Sequence, residues 1–161
     1  MQKLIWKHNL QIDAYASILS HMKENIETCL AQRLRRADRV LSQFYNEYLA
    51  SVGLKVTQFS LLRALDIIGK TTASELQEKL IMEQATVSRG IKPLIRDGYI
   101  QVAEGSNKRE KALSLTPAGK TLFKQALIPW QQAQNAFKQH LGDGGDLELI
   151  ELSQRIVAVK H

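Results

Sequence analysis

The chain has 161 residues, 44% hydrophobic and 24% charged, which is ordinary for a globular protein and long enough for a real core. Its 22 Lys and Arg exceed its 16 Asp and Glu, a net charge of +6 that favours a nucleic-acid partner. A single cysteine, Cys29, excludes an intrachain disulfide and a CxxC zinc site, and no apolar run is long enough to cross a bilayer.

A reducing, cytoplasmic setting is the expectation. The charge is uneven: residues 142–161 are net −2, which leaves +8 before them. Lys3 and Lys7 are followed by Asn9, Gln11 and Asp13, which interrupt the apolar core a secretion signal needs. Leu4, Ile12, Tyr15, Ala16 and Leu19 fall at roughly helical spacing. Met22 also reads as a natural start, so residues 1–21 are taken as an N-terminal extension.

Residues 25–51 are strongly helical in pattern, with Ile26, Leu30, Leu34, Ala37, Leu41, Phe44 and Tyr48 every three or four residues. Gly53 is the expected stop. A helix this long is expected to lie along a partner. Thr57 is the expected N-cap of a second helix over 58–68, with Leu61, Leu62 and Leu65 inward and Gly69 as stop. Thr72 and Glu75 form a capping box for a third helix over 73–80. After the turn Ile81-Met82-Glu83 comes a fourth helix over 84–97, closed by Gly98.

The pattern then changes to period two. Ile100 and Val102 alternate on one strand, 99–104, and Leu113 and Leu115 on another, 108–115, around a Gly105-Ser106-Asn107 turn. Thr116-Pro117 starts a helix running to about residue 140, which Pro129 should bend. Gly142-Asp143-Gly144-Gly145 reads as a flexible connector. Asp146 is the expected cap of a last helix over 147–159, with Ile150, Ser153, Ile156 and Val157 on one face. No HExxH, GxSxG, GxGxxG or phosphate loop is present, and the four histidines show no ligand spacing. Neither an enzyme nor a metal or cofactor site is expected.

The fourth helix has two faces. Val87, Ile91 and Leu94 would face a core, while Ala85, Ser88, Arg89 and Lys92, with Gln84 at the start, share another side. A major groove suits such a side: small residues allow close approach, Gln and Ser read base edges, and Arg binds guanine or phosphate. A polar helix side can equally be a solvated surface, and a basic hairpin tip a solubilising turn. One lobe presenting both favours DNA over a winged helix that binds only protein. The expected DNA contacts are Gln84, Ala85, Thr86, Ser88, Arg89 and Lys92, with Lys108, Arg109 and Lys111 on the hairpin.

The chain resembles the MarR family of bacterial transcription regulators over residues 26–159. The resemblance rests on Thr57-Gln58-Phe59, Ala73-Ser74-Glu75-Leu76 and Ala85-Thr86-Val87-Ser88-Arg89. It continues with Arg96-Asp97-Gly98-Tyr99-Ile100, Asn107-Lys108-Arg109 and Leu115-Thr116-Pro117-Ala118-Gly119. It implies a mainly α protein: a winged helix-turn-helix over 57–116 with a two-stranded β wing, and dimerisation helices over 22–56 and 117–161. It further implies a homodimer that binds a pseudo-palindromic operator, with a repressor as the expected role. The fourth helix would enter the major groove and Arg109 the minor groove. Asn107 stands where the family usually has an aspartate that orients the wing arginine, so the charge that strengthens that pair is missing.

Two regulatory devices are open. Cys29 is either a small apolar filler or a reactive thiol, with Arg33 one turn on to favour thiolate. The second reading is similar to the organic-hydroperoxide sensors of the family, and Tyr45 and Tyr48 could approach Cys29 from a partner subunit. Separately, the family's small anionic aromatic ligands sit between its two lobes. Arg39, Phe44, Tyr48, Phe59, Arg63 and Trp130 would either line such a site or simply form core.

Overall fold

The computed structural model describes residues 29–104 and 111–159. The chain divides into two compact units, 1–42 and 43–161. In the first, the described part is the exposed head of helix α1, Leu30–Leu49, which runs on into the second. The predicted start of this helix at residue 25 lies outside the described residues. Its end follows the prediction. A 3-10 turn, Ala50–Val52, leads to Gly53 in the left-handed region, and the Leu54 N–H reaches the Leu49 carbonyl at 3.2 Å.

Helix α2, Val56–Ile68, begins earlier than predicted. Lys55, not Thr57, is the N-cap. The Asn46 carboxamide accepts the Val56 N–H at 2.7 Å and that of Gln58 accepts the Lys55 N–H at 2.9 Å. These groups satisfy free N–H groups without a hydroxyl cap. Leu61, Leu62 and Leu65 are buried, as the periodicity predicts.

Helix α3, Ala73–Leu80, carries the predicted capping box. The Thr72 hydroxyl accepts the Glu75 N–H at 3.2 Å, and the Glu75 carboxylate accepts the Thr72 N–H at 2.8 Å. The Thr71 hydroxyl also donates to that carboxylate, at 2.5 Å. Helix α4, Gln84–Arg96, follows, with Asp97 as its C-cap and Gly98 beyond at φ +77°.

Three strands form one antiparallel sheet: β1 (Thr71–Thr72), β2 (Ile100–Glu104) and β3 (Lys111–Leu115), in the order β1-β3-β2. The predicted pair is therefore joined by a third, very short strand. The register runs from Ile100 opposite Leu115 to Glu104 opposite Lys111. Residues 105–110, the predicted turn and the start of the second strand, lie outside the described residues. Leu113 and Leu115 are buried on the central strand, but Val102 is 41% exposed. Strand β2 is an edge strand, so Val102 lacks the second strand that flanks Leu113.

Helix α5, Pro117–Leu141, starts as predicted, with the Thr116 hydroxyl accepting the Gly119 N–H at 3.0 Å. It continues through buried Pro129. The carbonyl left without an intrahelical donor there belongs to exposed Gln125. Helix α6, Gly145–Val157, starts before Asp146, so Gly144 and not Asp146 is its N-cap. The Asp146 carboxylate pairs with Lys138 Nζ at 2.6 Å.

One hydrophobic cluster holds the second unit together. Leu49 and Leu54, the α2 leucines, Leu76, Val87, Ile91, Leu94, Ile100, Leu113, Leu115, Leu122 and Phe123 all belong to it. Helix α6 contributes no buried residue. Among the described residues, no helix is long and apolar enough to cross a membrane.

Candidate nucleic-acid interface

Helix α4 is seated by one face and free on the other. Val87, Ile91 and Leu94 are at most 5% exposed. Gly90 lies between them because α2 comes close: a Cβ there would stand 2.5 Å from Leu61 Cδ1. On the outer side Gln84, Ala85, Arg89 and Lys92 are exposed, and Thr86 and Ser88 are half-buried. All six residues expected to meet DNA on this helix therefore keep some surface. Arg89 folds back one turn, its Nε donating to the Ala85 carbonyl at 3.1 Å. That bond steadies the stem of the guanidinium.

The preceding turn fixes the entry angle of α4. Ile81 takes a left-handed conformation, and the Met82 N–H bonds the Gln77 carbonyl at 3.0 Å. Behind α4, the Asp97 carboxylate pairs with Arg96, Nε to Oδ1 at 2.7 Å. This hydrogen bond holds the Asp97 carboxyl below its ordinary value. Sequence reading passed over Pro93, which lies inside the last turns of α4.

The wing meets this helix through strand β2. Lys111 is exposed opposite Glu104 at the far end of the described ladder. Lys108, Arg109 and Asn107 lie outside the described residues. Lys70, not singled out from the sequence, donates from Nζ to the Glu104 carbonyl at 3.3 Å. Its signal was only its place after Gly69, before a strand too short to recognise.

The residues expected around a small ligand fall into groups. Phe59 is buried, its ring stacked on Trp130 at 5.5 Å and tilted against Phe123 at 5.6 Å. Arg63 is exposed, with its guanidinium carbon 5.3 Å from the Trp130 ring centre. Phe44 and Tyr48 are half-buried at 5.2 Å from each other, and Phe44 also meets Tyr45 and Phe137. Tyr45 was not expected here. It is buried, donates its hydroxyl to Gln134 Oε1 at 2.7 Å, and burial pushes its pKa up. Arg39 lies on the exposed head of α1. Cys29 is partly exposed, directly before Leu30, and its carbonyl accepts the Arg33 N–H at 3.1 Å. Among the described residues, no three His, Cys, Asp or Glu gather as metal ligands.

Residues 54–111 match the model of the MarR family. The chain is 33% identical over 96 residues to the HTH-type transcriptional regulator YwoH of Bacillus subtilis, covering 60% of this chain and 70% of that protein. Its fold is similar to that of the M. tuberculosis transcriptional regulator MosR crystallised with DNA. There the TM-score is 0.69 at 31% identity, over 81% of this chain and 97% of MosR. It is also similar in fold to a mutant of E. coli MarR crystallised with operator DNA. That match has a TM-score of 0.71 at 19% identity, over 79% of this chain and 92% of that one.

Proposed function

This chain belongs to the MarR family of transcriptional regulators, and from that premise we propose that it represses transcription by binding a pseudo-palindromic operator as a homodimer. The carrying observation is α4. One face is buried against α2 and the core, and the other presents Gln84, Ala85, Ser88, Arg89 and Lys92 beside a wing. MosR, at 31% identity, was crystallised with DNA, which supports the same partner here. Residues 57–116 would be the DNA-binding winged helix. Lys108, Arg109 and Lys111 would extend the contact along the phosphates and into the minor groove.

Residues 22–56 and 117–161 would pair two copies, with 1–21 as an extension. Helix α6 favours this reading. Leu147, Ile150, Leu152 and Val157 are exposed on a helix with no buried residue, a surface that suits a second copy. Two recognition helices must then lie about 34 Å apart to reach successive half-sites. A signal that shifts the pairing helices changes that spacing and releases the operator. The signal would be a small anionic aromatic ligand near Phe44, Tyr48, Phe59, Arg63 and Trp130, or oxidation of Cys29. The cytoplasm would be the site of action.

The test is selection of bound fragments from random duplex DNA, with reduced and with oxidised protein. A palindromic operator bound with strong salt dependence is expected. Binding with no sequence preference would leave a protein-interaction winged helix as the better account.

A further inference from the structure

Among the described residues, one non-glycine residue has a positive φ: Ile81, at φ +51° and ψ +49°. This left-handed conformation ends α3, a place that normally takes glycine or asparagine. A β-branched side chain fits it badly, because its Cβ crowds the following carbonyl. The side chain gains little in return from the fold. Leu80 and Met82 pack against the core, while Ile81 between them is 73% exposed. Glycine or asparagine would suit both the backbone and the solvent better. Two unfavourable features therefore coincide at one residue, and that residue lies three positions before Gln84, at the head of α4.

Folding does not explain Ile81, but its position does. When the head of a recognition helix enters the major groove, the preceding helix crosses the sugar–phosphate backbone, so the turn between them lies at the groove's edge. The apolar group exposed on that edge is the 5-methyl of thymine. We propose that Ile81 is a DNA-contact residue whose side chain covers a thymine methyl beside the bases read by Gln84 and Ala85. This rests on the DNA-binding reading given above. The Ile81 contact is apolar, so it adds affinity and sequence preference without releasing counterions. Lys79 and Glu83, exposed on either side, leave Ile81 as the apolar point of an otherwise charged turn.

The test uses the full-length protein and a selected operator duplex, made with thymine and again with uracil in its place. Ile81→Gly and Ile81→Asn should melt at or above the wild-type temperature, because the backbone strain is relieved. Both should bind the thymine duplex about tenfold more weakly per half-site, the scale of a half-buried isoleucine. Their salt slopes should match the wild type, whereas loss of a phosphate-binding lysine lowers the slope by about 1. Wild type should bind the uracil duplex more weakly, and the two variants should be less sensitive to that exchange. Ile81→Leu should keep most of the affinity. Unchanged affinity in the Gly and Asn variants overturns the proposal. An equal loss on the thymine and uracil duplexes also overturns it, placing the contact on the sugar. If the wild type selects no duplex, the regulator reading itself fails and takes this proposal with it.

Discussion

Gly119 lies so close to Tyr99 that a Cβ placed on it would overlap the Tyr99 carbonyl oxygen. The same carbonyl accepts the Thr116 N–H at 3.1 Å, and the Thr116 hydroxyl donates to the Gly98 carbonyl at 2.7 Å. The first turn of α5 is thus fastened to the backbone at the start of the wing. Gly119→Ala should lower stability by about 3 kcal/mol, since backbone, unlike a side-chain tip, cannot swing aside. Thr116→Val should cost about 1–2 kcal/mol through the lost cap. Urea unfolding measures both.

Gly90 plays the same part under α4. The Leu61 methyl that a new Cβ would strike is fully buried, so it has no free space to turn into. Gly90→Ala should therefore destabilise by about 1–3 kcal/mol, despite alanine's better helix propensity. Stability equal to wild type would show that α2 and α4 can separate without loss.

On the exposed side of α4, Arg89 and Lys92 should behave differently. If Arg89 reads guanine, Arg89→Ala should weaken operator binding by about 1–3 kcal/mol and relax the preference at one base pair. Lys92→Ala should weaken all duplexes alike and reduce the salt slope by about 1. Titrations at several salt concentrations, on the operator and on a scrambled duplex, separate the two.

Acid should weaken the fold through its capping carboxylates. The Thr71 hydroxyl, and next the Thr72 N–H, hold the Glu75 carboxyl below its ordinary value. The Lys138 hydrogen bond does the same for Asp146. A carboxylate whose pKa is lowered by folding stabilises above its unfolded pKa. That contribution disappears as pH falls through the lowered, folded value. Melting temperature should thus drop on acidification across the carboxylate range, and Glu75→Gln should flatten part of that drop. An unchanged acid limb in Glu75→Gln would remove Glu75 from the account.

Cys29 offers a separable prediction about control. If its oxidation releases the operator, peroxide should weaken DNA binding by the wild type and leave Cys29→Ser unaffected. Equal responses of the two proteins would leave small-ligand control as the remaining device.

Much of this protein was determined by local sequence. The α2 leucines, the Thr72–Glu75 box, the buried and exposed sides of α4 and the Thr116-Pro117 start were readable because periodicity and capping act within a few residues. Other features needed the assembled chain. Thr71–Thr72 is a strand only because β3 pairs with it; two residues carry no alternation. Lys55 displaced Thr57 as a cap because Asn46, ten residues before Val56, reaches the helix start. Asp146 lies inside α6, where its carboxylate pairs with Lys138. Phe59 and Trp130 could each belong to a core or a pocket, and three-dimensional packing set their rings against each other. Nothing local to Gly90 or Gly119 marks a close approach; α2 and Tyr99 supply it. Local sequence thus determined the helices and the two longer strands, and most of the sides the helices bury. Tertiary structure decided which backbones come close enough to exclude a Cβ, because that depends on residues far apart in the chain.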